Sequence, residues 1–445
     1  MKNSTKSFVI ASCLALYPQF LSASENSSKK VEFSVCPIHN DAHYLGNVKC
    51  VLIDENKPLV IKEFDKNDKH NNRLKKRREF AEHPKHQDED WYQEFKNALA
   101  NKYNTEYTFD LTYMPQRGAP NGNKTPQQLV WAPYLSIMPF KDTFIGTGQI
   151  QFSYTGIQYW GEEAQKMQNR IHVGSGINDY TDSELQFSQL LYSHTMPGSM
   201  NWLSVNIGQY SLYLIDGTPQ DYNQQTGFIS YSLSQNGSAS YPTASLGAYL
   251  QFTPNSEWMM QVGFQDANNI SGRRVKFNTF DDGEYTSYMY VSWSPTFLKT
   301  WAGQYMFLTY NQPSTTNQPG DSQGWSFSFS QYFGESFNIF GRVNGSSGNI
   351  VPIKKSIVAG FGFKDLFNRN PNDYVGIGLG FNSMSKESLG QSAIHKYENV
   401  IEAQYVFGIG KYLTITPDIQ FFMNPALDQD QSTATVFSLR LGLTI

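Results

Sequence analysis

Arg342, Glu402, Asp418, Gln420 and Arg440 fall in C-terminal segments of alternating polarity. Trp160, Glu162, Arg170 and Asp179 crowd into one long connection, 158–184, and Asp216, Asp221, Asn223 and Gln224 into another, 216–242. Amides, carboxylates, guanidinium groups and aromatic rings in this mixture suit the binding of neutral, hydroxylated solutes. The polar groups take hydroxyls at the edge of a sugar ring, and aromatic faces take its C–H groups. Charges of both signs favour a neutral polar solute over an ion, because neither sign dominates the field.

Catalysis finds no support. The chain contains no H-E-x-x-H and no P-loop, and nothing in it calls for a cofactor. His172, His194 and His395 are far apart in sequence. Ser193 and His194 are neighbours, but adjacent strand residues point to opposite faces. Cys36, His39, His43 and Cys50 have zinc-ligand types at short spacing, yet in an exported chain Cys36 and Cys50 read first as a disulfide pair. The net charge of −4 gives no ground for a nucleic-acid partner.

The elements that would position these side chains are strands. Aromatics make up 15% of the chain and glycines number 34. The mean hydropathy is only −0.48, as expected where strands alternate a lipid face with a water face. After the N-terminus no apolar run reaches the roughly 18 residues of a membrane-spanning helix, so a membrane crossing here means a barrel. In the last segment Phe437, Leu439, Leu441, Leu443 and Ile445 alternate with Ser438, Arg440, Gly442 and Thr444. That puts one apolar face opposite one polar face and turns Arg440 toward a lumen.

Strands are predicted at 105–114, 129–139, 144–157, 185–194, 201–215, 243–252, 257–266, 285–294, 301–310, 323–333, 336–344, 354–364, 373–382, 396–407, 411–423 and 434–445. Short and long connections alternate between them, which is the rule for a bacterial barrel with both ends periplasmic. Counting 226–234 as a further strand would break that alternation, so it belongs to the long connection 216–242. The expected fold is an all-β, sixteen-stranded antiparallel transmembrane barrel. The apolar Phe228-Ile229 suggests that its connection folds inward and narrows the channel; the alternative is that the loops pack outside and their aromatics form a rim girdle.

Residues 1–24 read as a signal peptide: Lys2 and Lys6, an apolar run from Phe8 to Leu16, and the small residues Ser22-Ala23-Ser24. Residues 25–104 form a charged segment assigned to the periplasm. Its run from Arg73 to Arg78 reads as a solvated linker. Asp88-Glu89-Asp90 opens a short helix over 88–103, in which Trp91, Phe95 and Leu99 share a face.

Several stretches resemble a known family. Tyr107-Thr108-Phe109-Asp110, Asn201-Trp202-Leu203-Ser204, Gly208-Gln209-Tyr210, the run Leu233 to Ser238 and Gly324-Trp325-Ser326 are similar to segments of the carbohydrate-selective porins of the OprB type. So are Phe340-Gly341-Arg342-Val343-Asn344, Phe367-Asn368-Arg369-Asn370-Pro371, Thr416-Pro417-Asp418-Ile419-Gln420, Asn424-Pro425-Ala426 and Ser438-Leu439-Arg440. The resemblance spans about 104–445. It implies an outer-membrane channel taking up mono- and disaccharides by facilitated diffusion, with charged and aromatic side chains at the constriction. Arg342, Asp418, Gln420 and Arg440 lie in matching motifs. The chain departs from the pattern in its long charged N-terminal extension and in Ile445, where an aromatic is usual. The partners expected are carbohydrates, outer-membrane lipid and lipopolysaccharide, and the barrel assembly machinery, with the protein a monomer or a homotrimer. Two alternatives stand: a porin for other small polar or charged solutes, and a non-transporting envelope β-protein such as an adhesin.

Overall fold

The computed structural model describes residues 91–445 except 123, 299–300, 317, 349 and 391–394. The signal sequence, Cys36 and Cys50, the charge run and the first residues of the expected helix lie outside the described residues. Sixteen long strands, each antiparallel to its neighbours in sequence, close into a ring. They are β1 Thr105–Ala119, β2 Gln127–Thr143, β3 Gly146–Trp160, β4 Glu184–Thr195, β5 Leu203–Tyr210, β6 Ser245–Phe252, β7 Trp258–Asp266 and β8 Tyr285–Trp293. The second half consists of β9 Trp301–Gln312, β10 Ser322–Phe333, β11 Phe337–Ser346, β12 Ile353–Lys364, β13 Tyr374–Met384, β14 Tyr397–Ile409, β15 Leu413–Met423 and β16 Thr433–Thr444. β16 closes on β1, from Asp110 opposite Thr444 to Ala119 opposite Thr435.

The faces are inverted relative to a soluble sandwich. On β16 the apolar Phe437 is 52% exposed while Arg440 is 1% exposed. The same holds around the ring: Ile150, Ile207, Phe264, Ile357 and Phe381 lie on the outside, and Ser328, Asn338, Asn344, Gln404 and Thr416 are buried within. A sandwich with the same alternation would bury its apolar face in a second layer. An apolar exterior around a polar interior is the arrangement of a barrel in lipid.

Three expectations are corrected. The strand expected at 201–215 ends at Tyr210, where Ser211 caps a 3-10 turn, Leu212–Leu214. The long connection expected at 115–128 shrinks to 120–126, because β1 and β2 pair out to Pro115–Gln127 and β1 continues along β16. The helix α1, Trp91–Tyr103, uses only part of its expected Trp91–Phe95–Leu99 stripe, since Trp91 is 73% exposed. Its contact runs through Phe95 on Tyr107 and through Tyr92, outside that stripe, whose ring meets Tyr107 and Tyr412 edge-on. The segment 226–234 is not a strand: it holds a short helix, Tyr231–Ser234.

Candidate functional site: two inward loops held by wall charges

The connections after β3 and β5 fold into the barrel. The first inner loop, 161–183, carries a two-turn helix, Ala164–Arg170, and buries Met167, Ile171, Val173 and Ile177 against Val130, Phe422 and Val436 of the wall. The second, 211–244, buries Phe228 and Leu233 in the same cluster, with the Phe228 ring 5.2 Å from that of Phe340. An apolar loop segment in water would be costly, and the lumen wall gives it a dry surface. β13 makes room for it with small residues. A Cβ at Gly378 would lie 2.8 Å from Leu233, and one at Gly376 would lie 2.9 Å from Phe228.

Alternation sends Arg342, Glu402, Asp418, Gln420 and Arg440 inward as expected, and all five are buried. What most of them meet is loop backbone. Glu402 accepts from the N–H groups of Ile229 at 2.5 Å and Ser230 at 2.9 Å. Arg440 donates to the carbonyls of Gln224 and Gly227, the latter at 2.8 Å. Arg342 pairs with Asp221 at 3.2 Å and also donates to the Asp216 and Asp221 carbonyls. Gln420 donates to the Ile177 carbonyl at 3.1 Å. Asp418 sits beside this set, receiving a hydrogen bond from Gln420 at 3.4 Å. Hydrogen bonds with one charged partner contribute about 1.5–3 kcal/mol each, so the wall charges dock the loops.

The loop residues are spent in the same way. Asp179 and Gln224 tie the two loops together: the Asp179 N–H donates to Gln224 at 2.7 Å and the Gln224 N–H donates to Asp179 at 2.8 Å. Ser234 Oγ adds a third hydrogen bond to Asp179. Burial raises the Asp179 carboxyl to about 7 against these hydrogen bonds, which act to lower it. Asp216 accepts from Asn236 and Tyr241, each at 2.8 Å. Asp221 caps Thr218, and Asn223 braces the turn at Gln225 and Thr226. Glu162 and Arg170 pair at 2.5 Å, and Arg170 holds the Asn121 carbonyl. Trp160 stands apart, 46% exposed on the outer side of the β3 end.

Two features of the lumen lie outside the expected set. Glu398, on the same face of β14 as Glu402, accepts from Gly174, Ser175 and Ala426 and so pins the first loop. Its parity with Glu402 was the available signal. Across the lumen, Tyr210, Tyr288, Tyr290 and Tyr310 form a tyrosine wall, joined by Tyr213 and Tyr241 of the second loop. Tyr210 lies 4.9 Å from Tyr249, and Tyr241 lies 4.9 Å from Tyr310. The amides Gln251 and Gln261, hydrogen-bonded at 2.9 Å, belong to the same side. Tyr210, Tyr288, Tyr290 and Tyr310 are each at most 6% exposed, packed beneath the second loop, and this side of the barrel is built of neutral aromatic, amide and hydroxyl groups. Among the described residues no group of three or more metal-ligating side chains gathers.

A closed barrel with a lipid-facing exterior, a polar interior and loops folded into its bore is an outer-membrane porin. A family model for "Carbohydrate-selective porin, OprB family" matches residues 191–445. Porin AaxA of Chlamydia abortus is 38% identical over 356 residues, 78% of this chain and 79% of that protein. The chain belongs to the OprB family of carbohydrate-selective porins. Porin AaxA of Chlamydia trachomatis serovar L2 is 36% identical over 372 residues, 79% of this chain and 80% of the relative. The fold is also that of Pseudomonas putida OprB in its high-pH structure, with a TM-score of 0.64, 14% identity, and coverage of 80% of this chain and 97% of that one.

Proposed function

We propose that this porin passes mono- and disaccharides and similar small neutral polar solutes by facilitated diffusion, with its short-turn end and N-terminal segment in the periplasm. The observation that carries this reading is the spending of charge. Arg342, Glu402 and Arg440 are occupied by loop backbone, while the opposite wall keeps neutral tyrosine, serine and amide groups. With these charges occupied and the tyrosines neutral, no full charge of this set is left free to trap a solute.

A second reading, a porin for other small polar or charged solutes, is favoured by one count. Glu402 on β14 and Asp418 on β15 lie close to Arg440, with Asp179 of the first loop beside them, whereas Arg342 already has Asp221. That region carries an acidic surplus, which would favour cationic solutes.

Planar-bilayer conductance of the refolded protein separates the two. The carbohydrate reading expects conductance that falls as a sugar panel is titrated in, together with sugar-driven swelling of proteoliposomes. Conductance unaffected by any sugar, no swelling, and a cation-biased reversal potential in a salt gradient would replace it with the second reading. No conductance at all would sink both.

A further inference from the structure

The barrel wall has a notch on its long-loop side. β5 and β6 are 8 residues each, against 17 for β2. The ladder between β4 and β5 begins only at Leu190, so Glu184 to Gln189 have no strand on that edge. The connection 267–284 crosses the gap as a strap. The Ile270 carbonyl accepts from Thr243, and the Gly272 carbonyl accepts from Phe187, each at 2.8 Å. The crossing is close: Gly272 has φ of +61° and a Cβ there would lie 2.8 Å from the Ala244 nitrogen.

The strap carries Arg273 and Arg274 to the outside of the rim, where both are exposed. Beside them opens a cavity of about 580 Å³, lined among others by Tyr154, Glu184, Leu185 and Phe187. The aromatic part of this lining belongs to the lipid-facing belt. Phe187 packs edge-on against Phe152 at 5.4 Å and Tyr154 at 6.0 Å, and Leu185 is 49% exposed beside them. The cavity therefore opens toward the membrane and not toward the lumen. Arg273 lies 3.8 Å from Glu184, and Arg274 makes no ion pair among the described residues. Phe277, further along the strap, is also exposed.

An apolar floor on the lipid-facing side of the wall, with two guanidinium groups lining the same cavity, fits an amphiphile with an anionic head. Guanidinium groups match phosphate oxygens in pairs. We infer that the Arg273–Arg274 strap and the groove below it bind a phosphate of the outer-leaflet glycolipid, lipid A, with an acyl chain lying on Tyr154, Leu185 and Phe187. The choice of lipid A over a glycerophospholipid rests on the proposed orientation, in which the long loops face outside.

Native mass spectrometry of the detergent-solubilised, full-length protein tests the site. The expected result is a one-to-one adduct with diphosphorylated lipid A, retained roughly ten-fold less well by R273E/R274E, as loss of charge-assisted contacts predicts. The heat-modifiable gel shift of the barrel should be unchanged in that variant. Should the double variant fail to fold, Arg274→Gln, at an exposed side chain without an ion pair, is expected to weaken the adduct in the same direction. Equal retention by the variants, or equally tight binding of phosphatidylglycerol, overturns the inference. Orientation is read separately: K276C should react with a membrane-impermeant maleimide on intact cells above the level of the unsubstituted protein. Absence of that labelling would refute the orientation without touching the adduct measurement.

Discussion

Ser230 gives its backbone N–H to the Glu402 carboxylate at 2.9 Å, and Ile229 gives its own to the other oxygen. One wall carboxylate thus holds the middle of the second loop, where Phe228, Ile229 and Ser230 are fully buried. Glu402→Gln keeps the size of the side chain but replaces one acceptor by an N–H₂ group facing an N–H donor. The expected loss is about 1.5–3 kcal/mol of docking. In single-channel recordings the variant should show larger and noisier conductance as the second loop leaves the lumen for part of the time. Quiet conductance of unchanged size would mean that the loop is held without Glu402.

Arg342 and Asp221, 3.2 Å apart and both with fully buried side chains, should behave as a pair. Arg342→Met leaves a buried carboxylate with no counter-charge, at a cost of about 3–5 kcal/mol. Its heat-modifiable gel shift is expected at a lower temperature than that of the unsubstituted protein. Adding Asp221→Asn should recover part of the loss, and only part, because Arg342 also serves the Asp216 and Asp221 carbonyls. Additive effects of the two substitutions would count against the coupling.

The strands and their inward charges were legible because the side-chain period of a strand is two. Once Phe437, Leu439 and Leu441 are set outside, Arg440 must lie inside, and the same parity orients Arg342, Glu402 and Asp418. Alternation of connection lengths likewise removed 226–234 from the strand set. What the inward charges bind was not legible. The partner of Glu402 is the backbone of Ser230, 172 positions earlier in the chain, and backbone amides look alike in any sequence. Hence a set of charges expected to meet solute proved largely to meet loops. The end of β5 at Tyr210 was hidden because Leu212 to Ile215 continue an apolar, strand-like composition while the chain turns into the lumen. For α1 the helical period located the element, but its packed face depends on where Tyr107 and Tyr412 lie.

The tie between the two loops should respond to pH. Burial raises the Asp179 carboxyl to about 7, far above its value in a solvated loop near 4. Between these limits the docked loop keeps a proton that a released loop gives up. Docking is therefore favoured most below about pH 4, weakens as pH rises through about 7, and is level above that. Channel noise is expected to grow from pH 5 to pH 8, and Asp179→Asn, which cannot ionise, should flatten the dependence. A noise level equally pH-dependent in that variant would assign the effect to another group.

Gly378 on β13 makes a test of loop docking that leaves every charge in place. A Cβ there would stand 2.8 Å from Leu233 and 3.2 Å from Phe228, both fully buried. Gly378→Ala can be met by a small shift of these side chains, whereas Gly378→Val places a branched group where the loop now lies. Overpacking of this kind costs about 1–3 kcal/mol, comparable to one of the hydrogen bonds that Glu402 supplies. Because Gly378 faces the lumen, the barrel can relieve the strain by releasing the loop rather than by opening a seam between strands. Conductance should rise from the unsubstituted protein to the alanine and then to the valine variant, while the heat-modifiable shift stays in place. A valine variant with unaltered conductance and a lowered shift temperature would show that the loop is held more firmly than the strands around it.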